Sequence, residues 1–209
     1  MKIFKISLIL VTIVLISCSN NSNDNGINEF ELDSKIELTE NEISDLLFLR
    51  EEEKLARDVY LHAYDVYKQI IFKNIANSEQ SHMDNVLVLL DLYGINDPVI
   101  QETGKFTNKQ LQKVYNDLIK QSNISLVEAL KVGSTIEDMD IYDISQNEER
   151  TLKSEILAVY SLLKCGSRNH LRNFYKQVVQ QSGYYTANYI SNQEFEEIIS
   201  TSNEFCGTN

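Results

Sequence analysis

The chain contains a single proline, Pro98, and seven glycines among its 209 residues. A chain of this length has about ten prolines at average usage. Many-stranded sandwiches and barrels need a turn rich in glycine and proline at intervals of about eight to twelve residues. So few turn-forming residues argue against an all-β fold and predict long helices instead.

Apolar residues recur at alternating spacings of three and four in the first predicted helix. A capping box of Thr39 and Glu42 marks where this helix begins. Such spacings place side chains on one buried face of a helix that packs in a bundle. Glu53 interrupts this face, whose positions are Leu46, Leu49, Glu53, Ala56, Tyr60, Ala63 and Tyr67.

Three further segments have the same spacing. The second helix has the buried positions Phe72, Ile75, Glu79, His82, Val86, Leu89 and Tyr93. The third begins near Ser125, and the fourth extends from about Asn147 to Ser182 with Leu152 on its buried face. A short helix over residues 107–121 lies between the second and third long helices. The sequence therefore predicts an all-α, four-helix bundle with a long connection between its second and third long helices.

Carboxylates and histidines stand at buried positions in all four predicted helices. An ionised carboxylate buried alone is too costly, so it must be protonated, paired or bound to a metal. Arg57 lies one turn after Glu53, so a buried ion pair is an open alternative there. Carboxylates with imidazoles form the ligand set that iron or manganese prefers. The predicted metal ligands are Glu53, Glu79, His82, Glu137, Asp140 and His170.

Two divalent cations would balance the four carboxylates in this set. We therefore predict a pair of iron ions, with manganese or a single ion as alternatives. His82 has the stronger support of the two histidines, because Glu79-x-x-His82 has the spacing of a bundle metal motif.

Other polar residues of the first helix are predicted to lie off this face. His62 is nine residues beyond Glu53, half a turn around the helix, and should face outward. Glu51 and Glu52 lie about 200° and 100° away from Glu53 and are predicted to be solvated. Tyr60 is predicted to pack in the core, with a hydrogen bond to the metal site as the alternative.

The N-terminal residues predict export. Lys2 and Lys5 precede an apolar run over residues 6–16, which is too short for a comfortable membrane span. The sequence Leu-Ile-Ser-Cys at 15–18 resembles the bacterial lipobox, in which the cysteine is acylated. We therefore predict a protein anchored by lipid to a membrane of the bacterial cell envelope, facing the periplasm or the exterior. An ordinary cleaved signal peptide is the alternative.

This interpretation divides the chain into four parts. Residues 1–17 form a lipoprotein signal peptide, and residues 18–35 form an acylated Cys18 with a flexible polar stalk. Residues 36–182 form the helical bundle, and residues 183–209 form a C-terminal tail.

Two cysteines, Cys165 and Cys206, remain once Cys18 carries lipid. In an exported protein they could form a disulfide that holds the tail to the last helix, or they could remain free thiols. Both alternatives stay open. The chain has no Cys-x-x-Cys motif, which excludes a rubredoxin-type site.

The chain is strongly acidic, with 31 acidic and 19 basic residues and a net charge of −12. Such a surface repels phosphate backbones. We therefore expect no nucleic-acid partner.

Blocks around the predicted ligands resemble known proteins. Residues 53–60 (EKLARDVY) and 76–82 (ANSEQSH) are similar to the first two metal helices of rubrerythrins. The longer run at 50–60 (REEEKLARDVY), with SEQSHM at 78–83, VG and IE at 132–137 and GSRNHLR at 166–172, resembles a ferritin-like family of prokaryotic proteins of unknown function. The resemblance covers about residues 40–180. It implies a ferritin-like four-helix bundle with a carboxylate-bridged metal centre, whose ligands are Glu53, Glu79, His82, Glu137 and His170.

The chain departs from this pattern in its fourth helix. The bundle template has Glu-x-x-His on two helices, but here Ser167 stands where the second glutamate is expected. Asp140, one turn after Glu137, is the predicted replacement. A single metal ion or an asymmetric pair is the alternative.

The resemblance implies redox chemistry at this centre. We expect peroxidase or ferrous-oxidase activity, with dioxygen, peroxide or Fe(II) as substrates and an external electron donor. Arg57 and Tyr60 are candidates to contact the ligands rather than the metal. Two alternatives remain: a non-catalytic metal-binding or iron-handling protein, and a helical interaction module with a buried polar network.

Overall fold

The computed structural model describes residues 37–207, and these residues contain six helices and no strand. The helices are α1 (Glu40–Tyr67), α2 (Ile70–Tyr93), α3 (Lys109–Ser122), α4 (Leu126–Glu148), α5 (Ser154–Gln180) and α6 (Asn192–Ile199). The predicted all-helical class is confirmed. The predicted signal peptide, Cys18 and stalk lie outside the described residues.

The start of α1 is fixed by the predicted capping box. The Thr39 side chain accepts a hydrogen bond from the Glu42 backbone N–H at 3.2 Å, and the Glu42 carboxylate accepts one from the Thr39 N–H at 2.8 Å. The helix ends at Tyr67, and the residue that caps it, Lys68, has a left-handed φ of 56°. Only two residues separate α1 from α2, so the pair forms an αα-hairpin.

The four long helices contact one another in a ring. The α1 helix packs against α2 and α4, and α5 packs against the same two helices. Two apolar clusters fill the interior: one contains Tyr60, Phe72 and Phe174, and the other contains Leu46 and Tyr160. In α1, α2 and α5 the predicted ligands lie between the parts that enter these two clusters. The centre is therefore a polar layer with an apolar cluster on either side.

A short helix, α3, lies in the long connection between α2 and α4, as the sequence predicts, and contacts α1 and α4. Buried charges on α1 hold this connection. Arg50 forms a salt bridge to Asp97 at 2.8 Å. Lys54 forms a buried salt bridge to Asp58 at 2.6 Å and donates to the backbone carbonyl of Glu102. The connection therefore covers a face of α1 that would otherwise meet solvent.

Because the connection between α2 and α4 covers this face of α1, the prediction that Glu51 is solvated is wrong. Its carboxylate accepts hydrogen bonds from the backbone N–H groups of Thr107 at 2.6 Å and Asn108 at 2.9 Å, and the residue is buried. The prediction of a solvated Glu51 assumed that only one side of α1 is buried, and this assumption was wrong.

The predicted fourth helix is shorter at its start. The α4 helix continues to Glu148, and α5 begins only at Ser154, so Leu152 lies in the intervening loop with 97% of its surface exposed. Its predicted buried position is therefore wrong. The loop is held by Thr151, which is buried and donates a hydrogen bond to Glu42 of α1 at 2.6 Å.

The region after α5 contains α6, which Ser191 caps. Its Phe195 and Ile198 are buried in the cluster that contains Tyr60. None of the described helices combines the length and apolar composition that crossing a membrane requires.

Candidate metal centre

The polar layer brings the six predicted ligand positions to one level of the structure. Each of these residues lies on a long helix and is at most 7% exposed. The α1 helix contributes Glu53, α2 contributes Glu79 and His82, α4 contributes Glu137 and Asp140, and α5 contributes His170.

Glu79 lies at the middle of the layer, and each of its carboxylate oxygens faces one histidine. Its Oε2 is 2.8 Å from Nδ1 of His82, and its Oε1 is 2.9 Å from Nδ1 of His170. His82 Nδ1 also lies 3.2 Å from Glu53 Oε2, and His170 Nδ1 lies 3.3 Å from Glu137 Oε2. The carboxylate of Glu79 therefore links two groups of acids and imidazoles.

Each group offers three possible ligand atoms within 4.8 Å of one another. The first group is Glu53, Glu79 and His82, and the second is Glu79, Glu137 and His170. Asp140 is buried nearby but belongs to neither group.

Several buried atoms of the layer have no hydrogen-bond partner in the part of the chain that the structure describes. They are Glu53 Oε1, Glu79 Oε1, Asp140 Oδ1 and His170 Nδ1. Glu79 Oε1 and His170 Nδ1 are close together but lack the alignment of a hydrogen bond. Buried polar atoms without partners are costly. Their convergence fits a layer that accepts cations.

The two imidazole rings stack with their centroids 5.6 Å apart. His170 Nε2 lies 3.0 Å from the Ser78 hydroxyl, which fixes the ring at its outer nitrogen. The His82 ring lies directly against Gly166 of α5, where an added Cβ would be 2.5 Å from Nε2. A glycine at this position therefore leaves the space that the ring occupies.

Two hydroxyl groups hold carboxylates of α4. Tyr60, buried on α1, donates a hydrogen bond to Glu137 Oε1 at 2.6 Å, which is the alternative that the sequence analysis left open for it. The Ser167 hydroxyl donates to Asp140 Oδ2. Ser167, which stands where the bundle template has a carboxylate, therefore contacts the residue predicted to replace that carboxylate.

Arg57 does not pair with Glu53. Its guanidinium donates to Asp58 at 2.8 Å and to Gln80 at 2.6 Å, so the buried ion pair considered for Glu53 does not form. His62 lies away from the layer, and its ring is 2.8 Å from the Asn123 side chain.

Burial and the mutual contacts of these groups shift their pKa values. Burial raises the pKa of Glu53 and of Glu137 to about 7 in each case. Burial alone would lower the pKa of His170, but the neighbouring Glu79 and Glu137 outweigh it and raise the pKa to about 10. For Glu79 the effect of burial is outweighed by His170 and His82, which hold its pKa well below the usual range. The metal-free layer therefore retains protons at neutral pH.

Glu52 is a buried acid that the sequence analysis placed in solvent. It is 1% exposed because it faces α4 rather than water. Burial, followed by Asp140 and Asp143, raises its pKa well above the usual value. The signal that could have identified it is the unbroken run of charges from Arg50 to Lys54, since five successive positions cover every side of a helix.

A cavity of about 290 Å³ reaches the outer edges of both histidines. Its other lining residues include Ser78, Gly166, Asn169 and Cys206. The structure joins Cys206 to Cys165 of α5 in a disulfide. The bond holds the segment after α6 at the wall of this cavity.

Fold and site together define an all-helical protein with a buried layer of carboxylates and histidines. The family described as "Uncharacterized protein domain (DUF2202)" matches residues 42–202, and the chain belongs to this family.

A relative, the "Uncharacterized protein MJ0754" of Methanocaldococcus jannaschii, is 48% identical over 168 residues. The match covers 80% of this chain and 91% of the relative. The chain is also similar to the crystal structure of hypothetical protein MJ0754 from Methanococcus jannaschii DSM 2661, with a TM-score of 0.79. That likeness covers 80% of this chain and 97% of the other.

Proposed function

We propose that this chain is a ferritin-like metal-binding protein whose carboxylate–histidine layer holds a pair of iron ions and supports peroxidase or ferrous-oxidase chemistry. The observation that carries the proposal is the position of Glu79. Its two oxygens face two histidines at 2.8 and 2.9 Å, and each histidine also meets a carboxylate from another helix.

The residues of the layer fit two divalent cations. Glu53, Glu79 and His82 would hold one ion, and Glu79, Glu137 and His170 would hold the other. The mixed oxygen and nitrogen donors suit iron or manganese. Glu53, Glu79, Glu137 and the nearby buried Asp140 bring four negative charges against the four positive charges of two divalent cations. A bound iron pair supplies two-electron reduction of dioxygen or peroxide. Reducing equivalents would come from an external donor.

The arrangement of the helices supports a ferritin-like four-helix bundle. In ferritin-like carboxylate proteins, two helices provide a glutamate each and two provide a Glu-x-x-His motif. Here α1 provides Glu53, α2 provides Glu79-x-x-His82, and α4 provides Glu137. The α5 helix retains His170 but has Ser167 in place of the glutamate, with Asp140 as its hydrogen-bond partner.

The chain would prepare this site in three ways. The apolar clusters on either side of the layer exclude water from it. Tyr60 fixes the Glu137 carboxylate by a hydrogen bond at 2.6 Å. The cavity beside His82 and His170 provides a path from the surface that suits a molecule as small as dioxygen or peroxide.

Metal analysis of the purified full chain after incubation with Fe(II) under argon tests the proposal. We expect close to two equivalents per chain. The double variant Glu79→Gln with His82→Gln should lose most of this metal, whereas His62→Ala, a matched histidine control outside the layer, should retain it. Less than about half an equivalent in the wild type, or equal loss in the His62→Ala control, would contradict the metal centre.

Exposure of the loaded protein to air then separates turnover from simple binding. If the site is catalytic, Fe(II) disappears faster than in an equal solution without protein. An unchanged rate would favour the alternative of a protein that binds or carries iron without turnover.

We also propose that the chain is a lipoprotein of the bacterial cell envelope. The support is the sequence alone, because residues 1–17 and Cys18 lie outside the described residues. Feeding an alkyne-labelled fatty acid to expressing cells should label the wild-type protein and leave Cys18→Ala unlabelled. Equal labelling of the two would contradict the lipid anchor.

A further inference from the structure

The residues that follow α6 cross α5 as a strap beside the cavity. We define this C-terminal strap as residues 200–207. Its Cys206 lines the cavity of about 290 Å³ together with His82 and His170, and a disulfide joins Cys206 to Cys165 of α5. The strap therefore supplies part of the cavity wall next to the histidines.

The noncovalent contacts of the strap are polar and centre on Glu204. Its carboxylate accepts hydrogen bonds from Arg168 at 2.8 Å and from Arg172 at 2.7 Å. Its backbone N–H donates to the Asn169 side chain at 2.8 Å, and that side chain donates to Cys206 Sγ at 3.1 Å. The Glu204 side chain is 33% exposed. Ion pairs that remain in contact with water hold a segment only weakly.

Apolar packing adds little to this attachment. The one large apolar side chain of the strap, Phe205, is 79% exposed. The buried apolar residues that precede it, Phe195 and Ile198, belong to α6. Because the polar contacts are partly exposed and apolar burial is small, the disulfide is the strongest attachment of the strap to α5.

The two cysteines of this bond differ in exposure. Cys165 is buried at 8% exposure, whereas Cys206 is half-buried. A disulfide is reduced when an external thiolate attacks one of its sulfur atoms and forms a mixed disulfide. Attack at Cys206 by a dithiol releases the Cys165 thiolate, and the second thiol then displaces Cys206 and closes the reductant's own disulfide. The dithiol gives two electrons and two protons to the protein, and the strap loses its covalent attachment.

We propose that the Cys165–Cys206 disulfide is a redox-controlled closure of the cavity beside His82 and His170, which a dithiol reductant opens. The oxidised bond keeps the strap against α5, and reduction lets the strap leave and opens the cavity wall. The inference rests on the proposed function, because there the cavity is the path from the surface to the carboxylate–histidine centre. The oxidation state of the two cysteines then controls how fast small ions and molecules reach that centre.

Hydrogen exchange in the metal-free full chain tests whether the disulfide holds the strap. The probe is the Glu204 amide, which donates to Asn169 at 2.8 Å. We expect its exchange, followed by NMR, to be at least about tenfold faster after reduction with dithiothreitol, because local opening then breaks only weak polar contacts. The helical circular dichroism spectrum should be the same in both forms. Gly133→Ala, which crowds Phe174 and keeps the disulfide, controls for a general loss of stability and should leave Glu204 exchange slow.

The rate of Co(II) uptake, followed by its visible absorption, tests whether the strap closes the cavity. Dithiothreitol is removed under argon before Co(II) is added. The reduced chain should take up Co(II) about tenfold faster than the oxidised chain, because entry no longer waits for the strap to open. The double variant Cys165→Ala with Cys206→Ala should match the reduced rate with or without reductant, which separates opening of the cavity from binding of Co(II) by free thiols.

An unchanged Glu204 exchange rate after reduction would show that the disulfide does not hold the strap and would overturn the proposal. Faster exchange with equal rates of Co(II) uptake would overturn the closure, because the strap would then not limit entry. Failure of the proposed function is distinct. Neither form would then bind Co(II) even at equilibrium, whereas failure of the closure leaves the amount bound at equilibrium unchanged.

Discussion

The protonation and hydrogen bonding of individual side chains determine how the buried layer of carboxylates and histidines can bind a metal ion. Glu53 and Glu137 have pKa values raised to about 7 by burial, whereas His170 has one raised to about 10 by its acidic neighbours. A metal ion binds only the deprotonated forms of these groups. In the proposed metal centre, metal and protons therefore compete for the same atoms.

This competition predicts that metal affinity rises with pH. Below pH 7 the protons on Glu53, Glu137 and His170 oppose binding, and raising the pH through 7 removes those on the two carboxyl groups. Each proton released makes affinity rise by about tenfold per pH unit. Calorimetry with Mn(II) at pH 6 and pH 8, in buffers of different ionisation enthalpy, measures both quantities. An affinity independent of pH would contradict this account.

A second prediction concerns Tyr60, which donates to Glu137 at 2.6 Å. Tyr60→Phe keeps the ring in contact with Phe174 but leaves a buried carboxylate oxygen without its donor. We expect metal affinity to fall by about tenfold and the free energy of unfolding to fall by about 1 to 2 kcal/mol. Urea unfolding with and without metal measures the two effects. Tyr115→Phe, on the short helix α3, is the control and should leave metal affinity unchanged.

The sequence was sufficient to place the acids and histidines of the layer in one region, because the spacing of three and four defines one helix face. The same argument failed for Glu51 and Glu52. It treats a helix as having one buried side, but α1 is covered by the connection and by α4 as well. The positions of covering loops depend on contacts distant in sequence, such as Glu51 with Thr107, which helical periodicity does not contain.

At the scale of elements, close approach between α2 and α5 depends on Gly166. An added Cβ there would lie 2.5 Å from His82 Nε2, so Gly166→Ala should displace the ring and weaken metal binding by more than about tenfold. Gly133→Ala is a matched control, because its Cβ would crowd Phe174 at 2.7 Å rather than a ligand. Both variants should lose about 1 to 3 kcal/mol of stability. Equal metal affinity in the two would refute a positioning role for Gly166.

The boundaries of the elements were predictable where a side chain caps a helix. Thr39 and Ser125 are the N-caps of α1 and α4, at the predicted places. The break before α5 was not predictable, because Leu152 continues the apolar spacing although it is exposed. The loop that precedes α5 is held by a tertiary contact, the hydrogen bond from Thr151 to Glu42.

At the scale of the whole molecule, the segment after α6 is held to α5 by covalent and ionic contacts. Glu204 accepts hydrogen bonds from Arg168 and Arg172, and a disulfide joins Cys206 to Cys165. A bond that closes a loop of 41 residues stabilises a chain by about 4 kcal/mol in the chain-entropy account.

Reduction of this bond should therefore lower the urea midpoint of the wild type, with a free-energy loss on the order of 4 kcal/mol. The double variant Cys165→Ala with Cys206→Ala should already show the lower midpoint and should not respond to reductant. A wild type whose midpoint is insensitive to reductant would contradict the stabilising role.

Formation of the disulfide also changes the wall of the cavity beside the histidines. Before the two cysteines are oxidised, hydrogen bonds and ion pairs alone keep Cys206 at the cavity wall. A newly made chain has every acid and imidazole of the centre but an unfinished wall next to His82 and His170. For the metal binding proposed above, the order of metal binding and disulfide oxidation would decide how exposed those rings are when metal binds, and that order would be part of how the protein matures.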